Sequence, residues 1–184
     1  MIYPVVLYGH PVLKKKAGIL QKTDLKNIFI EDLFETMHNA KGVGLAAPQV
    51  GESKQIFVID TKGIEENPEK VFKGVFINPV ILKQEGRRQS YEEGCLSIPG
   101  IREDIERMPR ITIRYTNINW EEIEKSFVGI QARIIQHEYD HLQGILFTDY
   151  LTPLKRRLLK GKLTDISKGK VDAEYKVEAM KRLK

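Results

Sequence analysis

Apolar residues return along this chain with two different periods. After Thr23–Asp24, which offers a helix N-cap, Leu25, Ile28, Phe29, Leu33, Phe34 and Met37 recur at three- and four-residue spacing. That spacing predicts an amphipathic helix over about 25–40, stopped by Gly42. The next runs are rich in β-branched and aromatic residues: "KQIFVID" at 54–60 and "GVFINPVILKQEG" at 74–86, with Asn67–Pro68 in a loop between them. They predict strands. "RITIRYTN" at 110–117 alternates apolar with polar and predicts another strand. "WEEIEKSFV" at 120–128 extends it as a hairpin across a turn at 117–119. From Gly129 to Leu142 the helical period resumes. Pro153 is positioned to open a short helix through "LKRRLLK", ended by Gly161. The remainder, to Lys184, is polar and expected to be partly helical or disordered. The class is α+β: small antiparallel or mixed β-sheets packed around a central helix, with an N-terminal amphipathic helix and a C-terminal helix or tail.

Length and composition narrow the function classes. A chain of 184 residues, 41% hydrophobic and 30% charged, has the size and balance of one globular domain. No apolar run reaches a membrane-spanning length, and "MIYPVVLYGHPVL" has neither a basic n-region nor a cleavage site, so the cytoplasm is the expected location. A single cysteine, Cys95, excludes a disulfide scaffold. Charge is uneven. Lys155–Lys184 carries 11 Lys/Arg against 4 Asp/Glu, a net of +7, which leaves −2 for the first 154 residues. A basic segment of this kind suits an anionic partner.

The chemistry is concentrated in "IIQHEYDHLQG" at 134–144. Residues i and i+4 share a helix face, so His137 and His141 can aim at one ion, with Glu138 one step round from it. Two histidines leave a catalytic metal site one protein ligand short. His10 lies in a Gly-His-Pro turn and His38 on the polar side of the first helix, and neither suits. The third ligand is Cys95 or a distant carboxylate such as Glu174 or Glu178. Cys95 sits in "EEGCLSIPG", which reads as an irregular segment between strands, and a thiolate is a strong transition-metal ligand. Ile130 and Ile134 continue the histidine stripe, either as core or as an apolar pocket beside the metal. Arg133 is expected on the helix surface, with the pocket rim as the alternative. In "KGVGLAAPQVG" at 41–51, small residues leave the backbone open to a ligand, and the Gln49 amide can donate to a developing oxyanion.

"GVGLAAPQ" (42–49), "EGCLS" (93–97) and "QHEYDHLQG" (136–144), in this order and with "YGHPVL" near the start, resemble the signature motifs of the peptide deformylase family. The resemblance covers residues 1–160, a catalytic domain, with 161–184 as its basic extension. It implies that Cys95, His137 and His141 bind one divalent ion, Fe2+ in the cell, with Zn2+, Ni2+ or Co2+ as substitutes. It implies a formyl-methionyl nascent peptide as substrate and formate as product, with Glu138 as general base on a metal-activated water. Gln49 and the Leu96 N–H would stabilise the oxyanion. Gly44, Gly94 and the Cys95–Leu96 segment would hydrogen-bond the substrate backbone. Val43, Ile130 and Ile134 would line the methionine pocket, and Arg102 would contact the peptide. The basic extension could meet ribosomal RNA. Two other readings make different predictions. A metallopeptidase using His137, His141 and a downstream glutamate would keep its metal without Cys95. A non-enzymatic RNA-binding module would be indifferent to Glu138.

Overall fold

The computed structural model describes residues 1–24, 27–65 and 67–180. The predicted start of the first helix, including Leu25, and the last four residues of the tail lie outside them. Helix α1 runs Asn27–Asn39. It ends one residue earlier than the pattern suggests and not at a glycine. Lys41 takes the left-handed conformation at φ 56°, and the Lys41 and Gly42 amides close back onto His38 and Met37.

Strand β1 (Val5–Val6) precedes α1. After α1 come β2 (Gly44–Ala46), β3 (Ile56–Asp60), β4 (Lys73–Glu85), β5 (Gln89–Cys95), β6 (Ile98–Arg107), β7 (Arg110–Thr116) and β8 (Glu122–Val128). Helix α2 (Gly129–Leu142), helix α3 (Pro153–Ser167) and strand β9 (Val177–Glu178) complete the chain. Five strands form an antiparallel sheet in the order β2-β3-β4-β7-β8. β5 and β6 make a separate hairpin, and β1 pairs in parallel with β9.

Strand β3 explains the layering. Ile56, Phe57, Val58 and Ile59 are all buried because both sheet faces are covered, and a period of two sends them alternately each way. Ile56 and Val58 join Leu33, Met37 and Leu45 under α1. Phe57 and Ile59 join Phe76, Ile113, Phe127, Ile134 and Ile135 under α2. A third cluster, with Leu7, Leu13, Ile98, Ile105, Phe147, Leu163 and Ile166, packs the hairpin onto the N-terminal segment and α3. β8 blunts its open edge with Glu122, Glu124 and Lys125.

Phe76 is the hub of the second cluster. Its ring lies 4.7 Å from that of Phe57 and 4.3 Å from that of Tyr115. Phe76→Ala should cost about 3–5 kcal/mol in urea unfolding, from lost burial plus a cavity its aromatic neighbours cannot fill.

Two elements differ from expectation. α3 continues through Gly161 to Ser167, carried by Leu163 and Ile166 docking on the third cluster, so a boundary at 160/161 falls inside a helix. The tail after it is extended: Val171, Val177 and Ala179 pack on the same cluster, while Asp172, Glu174, Lys176 and Glu178 are exposed.

Candidate active site

Helix α2 brings His137 to the bottom of a cleft of about 1100 Å³ between β2 and the β5–β6 hairpin, with His141 buried behind it. The last residue of β5, rather than an irregular segment, brings Cys95 to meet them. Ligand atoms of Cys95, His137 and His141 lie within 4.8 Å of one another, with Sγ 3.3 Å from His141 Nε2. Glu174 and Glu178, the alternative third ligands, are not in this group; Glu174 pairs with Lys41 on the surface. His10 caps a short 3-10 turn, and His38 bonds Asp60 at 3.0 Å.

One thiolate and two imidazoles are a donor set for a divalent transition ion, with a coordination position left for water or substrate. Burial disfavours a charged His137 ring, but hydrogen bonds to Cys95 and Glu93 outweigh it and raise its pKa to about 10. Burial and charged His137 hold His141 well below the usual range. Burial also raises the Glu138 carboxyl to about 7. Glu138 Oε2 has no hydrogen-bond partner among the described residues, so it is an unspent acceptor beside the donor set.

Glu138 rests directly on the backbone of β2. A Cβ on Gly44 would come within 2.8 Å of Glu138 Cγ and Cδ. Gly42 is equally tight: a Cβ there would meet Leu96 Cδ1 at 2.9 Å. Close backbone approach is thus the physical requirement behind the glycine-rich turn. Gly44→Ala should displace Glu138 and lower turnover about 100-fold, a penalty set by misplacement of the base, with about 1–3 kcal/mol of stability lost to the overpacked contact.

Gln49 is buried. Its Oε1 accepts from the Ala46 amide at 2.9 Å, which aims its Nε2 at Ser97 Oγ (3.4 Å) and Cys95 Sγ (3.5 Å). Val43, Gly44, Gly94, Leu96, Ile130 and Ile134 all line the cleft. Ile130 and Ile134 also pack on the core cluster of α2. Arg102 lines the cleft from an exposed position and pairs with Glu92.

The surface placement of Arg133 is overturned. It is buried, bonds Glu93 Oε1 at 2.6 Å and the Ile105 and Gln89 carbonyls, and its guanidinium lies over Tyr91. Its partner belongs to a network that the sequence pattern does not announce. Buried Glu93 accepts from Arg107 Nε (2.7 Å) and Nη2 (3.0 Å), and its Oε2 lies 3.1 Å from His137 Nδ1. Arg107 Nη1 reaches Asp140 at 2.8 Å, and Asp140 accepts from Tyr150 at 3.0 Å. A carboxylate on the far nitrogen of a metal-binding histidine fixes the ring's tautomer and orientation. The available signal is Glu93 itself, two residues before Cys95 and so on the same face of a strand.

The profile of the polypeptide deformylase family matches residues 2–157. The chain belongs to the polypeptide deformylase family. It is 52% identical to the peptide deformylase of Cytophaga hutchinsonii, over 97% of each chain. The crystal structure of peptide deformylase from Thermus thermophilus superposes with a TM-score of 0.82 at 39% identity, covering 92% of this chain and 99% of that one. That from Legionella pneumophila superposes at 0.81, with 34% identity over 92% and 98%. As a deformylase-family enzyme the chain is a hydrolase, and among its described residues no helix is long and apolar enough to cross a membrane.

Proposed function

We propose that this chain removes the formyl group from the N-terminal formyl-methionine of new polypeptides and releases formate, with a divalent ion held by Cys95, His137 and His141. The observation that carries the reading is the closure of those three side chains into one donor set beneath an open cleft, with the buried Glu138 beside it. When bound, the ion would supply Lewis acidity, lowering the pKa of water and polarising the formyl carbonyl. Fe2+ is the ion proposed for the cell, and Zn2+, Ni2+ or Co2+ suit the same donors.

The chain's own residues supply the rest. Glu138 accepts the proton of the attacking water and returns it to the departing amine. The Gln49 amide and the Leu96 N–H donate to the oxyanion, where preorganised donors contribute most. The edge of β2 at Gly44 and the Gly94–Leu96 segment hold the peptide extended, as an added strand. Val43, Ile130 and Ile134 form the apolar wall for the methionine side chain, and Arg102 meets the peptide farther out. Exposed Arg156, Arg157 and Lys160 on α3 would bring the enzyme to ribosomal RNA, in a contact that weakens with salt.

The test is formate release from formyl-Met-Ala-Ser by protein purified without oxygen. Release that requires added ion and disappears in Cys95→Ser, together with the ion, is the expected result. Internal cleavage of unformylated peptides, or metal retained in Cys95→Ser, would point to the peptidase reading instead.

A further inference from the structure

The C-terminal segment beyond α3 lies outside the stretch matched by the family profile, yet Asp172, Ala173, Glu174 and Tyr175 form part of the cleft wall. Its sequence, Val171-Asp-Ala-Glu-Tyr-Lys-Val-Glu-Ala179, alternates strictly, and the odd-numbered residues are the less exposed ones. β9 anchors it to β1, with the Val5 and Leu7 amides donating to Lys176 and Glu178 carbonyls at 2.9 Å. On the outside, Glu174 pairs with Lys41, two residues past the end of α1. The segment is therefore a strap set across one side of the cleft.

Its one inward hydroxyl has a specific target. Tyr175 Oη donates to the Leu96 carbonyl at 2.7 Å. Leu96 and Ser97 are the two-residue turn between β5 and β6, where the ladder shifts register between Gly94 and Cys95. The turn's other carbonyl, that of Ser97, accepts from the Tyr8 amide at 2.8 Å. Both turn carbonyls are thus held by groups from outside the hairpin. This short turn follows directly on the metal-binding thiol and contains the N–H assigned to the oxyanion.

We propose that Tyr175 is a positioning residue: its hydroxyl fixes the turn that presents the Cys95 thiolate and the Leu96 N–H. The inference rests on the deformylase reading for the role of that N–H, but the hold on the turn does not. Tyr175→Phe isolates it, because the ring that fills the strap's place remains and only the hydroxyl is lost. The Tyr175 bond is already made in the resting enzyme and reaches the reaction only through the Leu96 N–H. That N–H meets the oxyanion in the transition state, so losing the bond lowers kcat and leaves KM alone.

The measurement uses full-length cobalt-loaded wild type and Tyr175→Phe with formyl-Met-Ala-Ser. Expected are a kcat lower by about tenfold and an unchanged KM, with only the fall of about 2–4 °C in melting temperature that losing one hydrogen bond brings. The thiolate-to-cobalt absorption should shift while one cobalt per chain is retained. Unchanged kcat, or a kcat loss with an unshifted absorption band, overturns the proposal. If wild type itself releases no formate, the deformylase reading fails. The absorption band then decides alone: a shift in Tyr175→Phe supports the hold on the turn, and an unchanged band overturns it.

Discussion

Glu138→Gln will keep its metal and its fold and lose about 100- to 10,000-fold in formate release, the range covered by a positioned general base. Glutamine preserves the shape that packs against Gly44 and removes the proton acceptor. None of the three donor atoms is touched, so metal content should match wild type. Melting temperature should not fall, because among the described residues Glu138 Oε2 makes no hydrogen bond that the substitution would break. The comparison requires metal analysis, a melting curve and turnover on the same preparation. Turnover within about threefold of wild type, against the 100-fold or more expected of a lost base, would remove Glu138 from the chemistry.

The second large effect is far less obvious from the site. Glu93→Gln should destabilise the protein by about 3–5 kcal/mol, because it leaves buried cations without their counter-charge. Glu93 and Asp140 balance Arg107 and Arg133 away from solvent, and Glu93 touches both arginines. It also orients His137, so metal affinity should weaken by roughly 10- to 100-fold, the usual cost of losing such a carboxylate. The pH dependence follows from the same contacts. Burial acts to raise the Glu93 pKa, but hydrogen bonds from His137 and Arg107 outweigh it and lower it from 4.5 to about 2. A carboxylate with a lowered folded pKa stabilises fully above its unfolded value and loses that contribution as pH falls through the folded one. Wild type should therefore keep this stabilisation at neutral pH and surrender it between pH 4.5 and about 2, whereas Glu93→Gln should lack it throughout. Unfolding curves across that window, and chelator competition at neutral pH, read the two effects separately.

How far the fold is legible in the sequence depends on what each pattern encodes. α2 is legible as a helix from Gly129 to about Leu142, because its period is strong and a glycine marks its start. β3, β4, β7 and β8 are legible within one or two residues, since burial on a sheet writes a period of two or a continuous apolar run. The β5–β6 hairpin is not. Its inward positions include Glu93 and Arg107, charges that satisfy one another across the strands and so break the apolar signal. Arg133 is misplaced by its sequence for the same reason: an arginine on a helix reads as surface until its carboxylate is known. The strap escapes although its alternation is regular. Charge dominates the composition there, and the apolar partners of Val171, Val177 and Ala179 lie far away in sequence, at Leu7 and Ile98 among others.

The turn after Cys95 is gripped from opposite ends of the chain, by the Tyr8 amide and the Tyr175 hydroxyl. The first grip needs Ser97 and the second Tyr175, so at roughly 5–20 residues per second a ribosome completes their parts about 4–16 seconds apart. The cysteine and both histidines precede Tyr175 in the chain, so they are made before the second grip can form. A copy made only as far as α3 carries Cys95, His137 and His141 and still lacks the second hold on the turn.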